Sequence, residues 1–249
     1  MRRKLIAGNW KMNMFKVDGL DLVQNILTKI DGKQLPFDVL VCPPFTLLSD
    51  VCHAANGQIF VGSQDVSVVP EFGAYTGDVS AKMVADIGAE YAIVGHSERR
   101  AGRGDTDAVV QEKAFNAIEA GLIPVICVGE TLEEREAGKA LDVVSAQVRG
   151  SLPKNVNGAV VIAYEPVWAI GTGKVPTTED VAQMHNTIRA VLTEMLGPDT
   201  ADQMRILYGG SVKPGNAKEL LAVSNVDGAL IGGASLKADD FWGIAETQL

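Results

Sequence analysis

The sequence predicts an α/β protein folded as a single-domain (β/α)8 barrel with eight parallel strands. Three observations predict it. Short apolar runs alternate with longer amphipathic segments from end to end. There are eight such runs, spaced at about 31 residues, the size of a strand-plus-helix unit. No Pro/Ser-rich linker or composition shift divides the 249 residues, and α/β barrels occupy roughly 250 residues as one domain. A doubly wound open sheet uses the same alternation, and periodicity alone does not show that a sheet closes.

The strand-like runs are residues 4–7, 39–42, 59–62, 91–95, 124–129, 159–164, 205–208 and 229–231. They are rich in Val and Ile with little polar alternation, the pattern of strands buried on both faces of a parallel sheet. The third and sixth follow the turn signals Asn56-Gly57 and Asn157-Gly158. Between the fourth and fifth, a helix is expected over about 106–119, stopped at Gly121. After the fifth, Thr131 and Glu134 form a capping-box pattern opening a helix that carries Leu141, Val144 and Val148. After the sixth, Val181, Met184, Ile188, Val191, Leu192 and Met195 recur at helical steps over 178–196. Thr177 or Thr178 can cap that helix, and Glu179 and Asp180 suit its positive end.

Composition excludes several function classes. Hydrophobic residues make up 47%, which rules out intrinsic disorder. Twenty-two basic against 31 acidic side chains leave a charge of −9, which argues against a nucleic-acid partner. Cys42, Cys52 and Cys127 show neither a disulfide framework nor metal-ligand spacing, as befits a reducing cytosol. The apolar stretch after the basic start is too short for a signal peptide, and none approaches the ~18 residues of a membrane span. A soluble, cytoplasmic protein is the expectation.

The polar residues are informative by position. Asn9 and Lys11 follow the first run, Gln64-Asp65 the third, His96-Ser97-Glu98 the fourth, Glu130 the fifth and Glu165 the sixth. Gly209-Gly210-Ser211 follow the seventh run and Gly232-Gly233 the eighth. In a barrel these positions converge on the face that carries catalytic groups. Either glycine pair alone reads best as a tight turn. Two pairs after strands 7 and 8 point to a phosphate bound by backbone N–H groups. Gly173-Lys174 is not a P-loop, because Trp168 and Val175 stand where Gly and Ser/Thr are needed, and no GxGxxG fits. Neither ATP nor NAD is expected. Residues 166–174 have an apolar middle (Trp168, Ala169, Ile170) flanked by Pro166 and glycines, the composition of a lid that closes over a ligand.

Five blocks carry a resemblance: Asn9-Trp10-Lys11-Met12-Asn13, Gly95-His96-Ser97-Glu98-Arg99-Arg100, the stretch 163–173 around Glu165, Tyr208-Gly209-Gly210-Ser211-Val212 and Gly232-Gly233-Ala234-Ser235-Leu236. In that order and over nearly the whole chain, they resemble the triosephosphate isomerase family. The resemblance implies interconversion of dihydroxyacetone phosphate and D-glyceraldehyde 3-phosphate, without metal or organic cofactor. It implies Glu165 as the base and His96 as a neutral electrophile, the established arrangement of that family. Lys11 adds positive charge beside the substrate and Asn9 a polar contact. Gly171, Ser211, Gly232 and Gly233 hold the phosphate largely through N–H groups. A homodimer is implied through the loop around Thr76, where Asp78 replaces the more usual Glu and alters an intersubunit ion pair with, for example, Arg99.

From the residues alone, His53 and His185 read as surface or packing side chains, Cys127 as buried packing, and Trp10 as packing beside the substrate. Another phosphate-sugar barrel enzyme would share the glycine pairs but not the Lys11, His96, Glu165 and lid combination. A non-catalytic barrel would be expected to have lost one of those groups, and none is missing.

Overall fold

Each apolar run becomes a strand, and the strands close on themselves. In the computed structural model, which describes residues 2–154, 156, 160–170 and 175–249, eight parallel strands form one ring in sequence order. They are β1 (Lys4–Asn9), β2 (Phe37–Cys42), β3 (Phe60–Ser63), β4 (Tyr91–Val94), β5 (Ile123–Val128), β6 (Val161–Tyr164), β7 (Arg205–Tyr208) and β8 (Gly228–Ile231). Closure is made by β1 against β8, with Leu5 opposite Gly228 and Gly8 opposite Ile231. The open-sheet alternative is therefore excluded. Gly228 sits at this seam with φ +141°, and a Cβ there would lie 1.9 Å from the Leu5 carbonyl oxygen. Only glycine allows the approach.

Strand alternation sorts side chains into two cores. Leu5, Ala7, Leu40, Cys42, Ile93 and Val125 belong to a cluster filling the barrel. Their neighbours Ile6, Val39, Val41, Val94 and Ile126 pack outward under the helices. Both faces are buried, so both sets are apolar. That is why the strands read as unbroken hydrophobic runs.

The helices are α1 (Lys16–Ile30), α2 (Phe45–Ala55), α3 (Ala81–Asp86), α4 (Ser97–Arg103), α5 (Asp107–Glu119), α6 (Leu132–Glu136), α7 (Ala140–Ser151), α8 (Thr178–Leu196), α9 (Pro198–Gln203), α10 (Pro214–Leu221) and α11 (Ala238–Ala245). Thr106 caps α5, and the Thr177–Asp180 capping box opens α8. The Thr131–Glu134 box is also present, but the single helix expected behind it is two. Gly138 at φ +71° breaks the chain between α6 and α7, so Leu141, Val144 and Val148 belong to the second piece. Of the run 159–164, Ala159 lies outside the described residues, as do residues 171–174 of the expected lid. Val167–Ala169 form one 3₁₀ turn at the start of that segment. Among the described residues, no helix is long and apolar enough to cross a membrane.

Candidate active site

Parallel pairing delivers every strand's C-terminal end to one face, and there a cavity of about 340 Å³ opens. Asn9, Lys11, His96, Glu165, Ser211, Gly232 and Gly233 all line it, although they come from five different strand ends. Gly171 lies outside the described residues. Among the described residues, no group of three or more His, Cys, Asp or Glu side chains is placed to hold a metal ion.

Glu165 follows β6 and is held by its backbone on both sides. Its N–H donates to Val128 O at 2.7 Å, and Gly209 N–H donates to Tyr164 O at 2.7 Å. A Cβ on Gly129 would fall 1.7 Å from the Glu165 carbonyl oxygen, so the β5 loop must carry glycine here. The carboxylate is 2% exposed. Oε2 accepts the Ser97 N–H at 2.9 Å, Oε1 accepts the Ser97 hydroxyl at 3.2 Å, and His96 Nε2 stands 2.9 Å from Oε1. Burial pushes this carboxyl up, while the hydrogen bonds from His96 Nε2–H and the Ser97 N–H, with the nearby Lys11 charge, favour its ionised form and hold it below the usual glutamate value. At neutral pH it is an ionised base with its lone pairs presented to the cavity wall.

His96 caps the N-terminus of α4 with its ring. Nδ1 accepts the Glu98 N–H at 3.2 Å. A nitrogen that accepts carries no proton, so the ring proton sits on Nε2 and points at Glu165. Glu98 Oε2 is 3.6 Å from Nδ1, beyond hydrogen-bond reach. A neutral imidazole with Nε2–H facing the cavity is a hydrogen-bond donor suited to an oxygen on which negative charge develops.

Lys11 adopts φ +52°, a conformation costing a non-glycine residue roughly 1–3 kcal/mol. The surroundings hold it there: Asn9 Oδ1 accepts its N–H at 3.0 Å and the Gln64 amide donates to its carbonyl at 2.8 Å. Its Nζ pairs with Glu98 Oε1 at 2.7 Å. Gln64 therefore supports the site from behind.

The two glycine pairs differ. A Cβ on Gly209 would meet Glu165 Cγ at 3.0 Å, and one on Gly210 would meet the Tyr208 hydroxyl at 2.2 Å. Packing requires glycine at both positions of that pair, and both line the cavity. Gly232 and Gly233 are more open: among the described residues a Cβ on Gly232 would meet Lys11 Cε at 3.6 Å, and one on Gly233 nothing within 4 Å. Among the described residues, the N–H groups of Ser211, Gly232 and Gly233 have no acceptor, leaving them available to an anion.

Glu130 does not line the cavity. It is fully buried beneath the lid segment, where Tyr164 OH (3.0 Å), Trp168 Nε1 (2.8 Å) and Arg135 Nη1 (3.2 Å) donate to its Oε1. Two lining residues escaped the sequence reading: Leu230 on β8, hidden as an ordinary core residue, and Lys213, a cation two positions past the Gly209-Gly210-Ser211 turn. The spacing from that turn was the available signal.

Comparison with known proteins decides the family. The triosephosphate isomerase family model matches residues 4–248. The chain belongs to the triosephosphate isomerase family. It is 56% identical over 245 residues to the triosephosphate isomerase of Ruegeria pomeroyi, covering 97% of this chain and 95% of that protein. To that of Xanthobacter flavus it is 52% identical over 246 residues, covering 98% and 97%. The crystal structure of the Bartonella henselae triosephosphate isomerase superposes with a TM-score of 0.90 at 45% identity, covering 98% of each chain. The family's fold is the closed barrel described above.

Proposed function

We infer that the chain is an isomerase interconverting dihydroxyacetone phosphate and D-glyceraldehyde 3-phosphate through an enediol(ate). One observation carries this reading: a buried, ionised Glu165 stands 2.9 Å from the protonated nitrogen of His96, in a cavity that also holds Lys11 and N–H groups unbonded among the described residues. Glu165 takes a proton from one carbon of the substrate and returns it to the neighbouring carbon. The electron pair moves onto the carbonyl oxygen, which His96 Nε2–H and the Lys11 ammonium stabilise. Asn9 orients Lys11, and Ser211, Gly232 and Gly233, with Gly171, bind the phosphate. No step calls on a metal or organic cofactor.

Glu165 has to release Ser97 before it reaches substrate, because both of its oxygens are occupied. Closure of 166–174 over the substrate then excludes water and disfavours loss of phosphate from the enediolate. Chain 1–249 acts as one barrel domain in the cytoplasm, in glycolysis and gluconeogenesis. It works as a homodimer through the loop around Thr76. What supports the dimer is a set of exposed apolar side chains after β1, β2 and β3, three adjacent strands: Met12 is 95% exposed, Phe15 84% and Phe72 81%, with Tyr75 and Phe45 also exposed. Arg99 is already paired within the chain, to Asp65 at 2.8 Å and Asp105 at 3.3 Å, and Asp78 accepts the Ser67 hydroxyl at 2.6 Å.

A coupled assay on purified protein with D-glyceraldehyde 3-phosphate tests the activity; absence of turnover would refute it. Sedimentation tests the assembly, and a fully active monomer would refute the dimer.

A further inference from the structure

Among the described residues, four ionisable side chains line the active cavity: Lys11, His96, Glu165 and Lys213. His96 is neutral by its hydrogen bonds, and the Lys11 ammonium is matched by Glu98 at 2.7 Å. The carboxylate of Glu165 then remains, so without Lys213 the empty site carries net negative charge. The protein around it is acidic, at −9. A phosphate monoester bearing about −1.5 to −2 charges at neutral pH has to enter against both.

Lys213 is placed to offset this. It stands at the N-terminal boundary of α10, two residues after Ser211, with an exposed side chain. Its backbone N–H donates to Asn216 Oδ1 at 2.8 Å, so main-chain bonding holds the turn independently of the ammonium. Among the described residues, no carboxylate lies within ion-pair distance of that ammonium. It is a solvent-facing cation at the phosphate end of the cavity, with its charge uncommitted.

We propose that Lys213 is a substrate-binding residue that draws the phosphate dianion into the site and sets the site's charge balance while Lys11 is paired with Glu98. This rests on the triose phosphate reading above. Lys213 is solvent-exposed, so its effect falls on the rate of capture and is screened by salt; the chemical step depends on Glu165 and His96.

The test is a charge series at position 213 in the full-length enzyme. At low ionic strength K213Q is expected to lower kcat/KM by about 3–10-fold, within the reach of electrostatic steering, while kcat changes less than about twofold. K213E lowers kcat/KM further and K213R restores it. The gap between wild type and K213Q narrows as salt approaches ~0.3 M, where the screening length falls to about 5–6 Å. In a phosphorus NMR titration, inorganic phosphate binds K213Q more weakly than wild type. Equal kcat/KM for wild type and K213Q across the salt series, failure of K213R to restore it, or unchanged phosphate binding would overturn the proposal. A wild-type enzyme inert toward triose phosphates would instead refute the isomerase reading, and the phosphate titration still reads Lys213 alone.

Discussion

Lowering the pH from 7 to 4.5 should destabilise the protein through one histidine that has no part in the chemistry. His185 lies on α8 with its ring fully buried. Nδ1 is 2.9 Å from the Asn225 carbonyl oxygen and must be the protonated nitrogen, because a carbonyl only accepts. Nε2 is buried with no partner among the described residues, and the ring stands edge-on to Tyr164 at 5.9 Å. A second proton on Nε2 would place a charge where nothing solvates it. Burial accordingly lowers this imidazole from 6.5 to about 4, with nearby Arg189 acting in the same direction and Asp227 and the Asn225 carbonyl opposing it. The unfolded chain binds the proton near pH 6.5 and the folded chain only near pH 4. Between those values the unfolded state holds more protons, so folding stability falls as pH falls. Above pH 6.5 both states are neutral and the contribution is fully present. Linkage gives a loss of about 2.5 kcal/mol by pH 4.5, approaching ~3 kcal/mol below pH 4. Urea unfolding at fixed protein concentration, at pH 7 and 4.5, for wild type and His185→Asn, measures the difference. The wild type should lose about 2.5 kcal/mol more than the variant over that interval. Equal losses would show that His185 does not carry this acid sensitivity, and an imidazole signal titrating near pH 6.5 in the native protein would contradict the buried-ring account.

Three further outcomes test other parts of the molecule. Glu165→Gln should lower kcat by ~10²–10⁴, the usual contribution of a general base, with the fold intact by circular dichroism; near wild-type turnover would move proton abstraction elsewhere. His96→Ala should lower kcat by about 10²–10³, as for loss of an oxyanion donor, and a rise in KM alone would make His96 a binding residue instead. Asp227→Asn should cost about 3–5 kcal/mol in chemical denaturation, because Arg189 Nη2, 2.9 Å away and buried, loses its countercharge; a change below about 1 kcal/mol would show that the remaining bonds of Arg189 suffice.

The strands and the site were legible for the same reason. A barrel strand buried on both faces must be apolar throughout, so the first polar residues after each run mark the open face, and Lys11, His96 and Glu165 stand out there. Capping chemistry was equally readable at Thr131 and Thr177, because a cap is a local bond within three residues. Features set by packing between distant segments were not. Closure depends on Gly228 approaching Leu5, which no periodicity reports. Gly209 and Gly210 are also required by close contacts with Glu165 and Tyr208, which no turn signal reports. Gly138 ends a helix through its backbone angle while the apolar spacing around it still suggests continuity. Lys213 carries one signal, its spacing from the Gly209-Gly210-Ser211 turn, and that spacing gains meaning only beside the cavity.

The seam between β1 and β8 bears on how the chain is made. Seven neighbouring strand pairs join consecutive units, but the eighth joins partners such as Arg2 and Asp227, 225 positions apart. On a ribosome the first strand emerges long before its second neighbour exists. Until the last strand arrives, one side of β1 is an unpaired apolar edge, the kind of surface that recruits other nascent chains. Arg2 and Lys4, both bonded across the finished seam, are basic residues on that waiting edge. Charge at such an edge disfavours pairing with another chain, and in the finished barrel the same two residues fasten the seam.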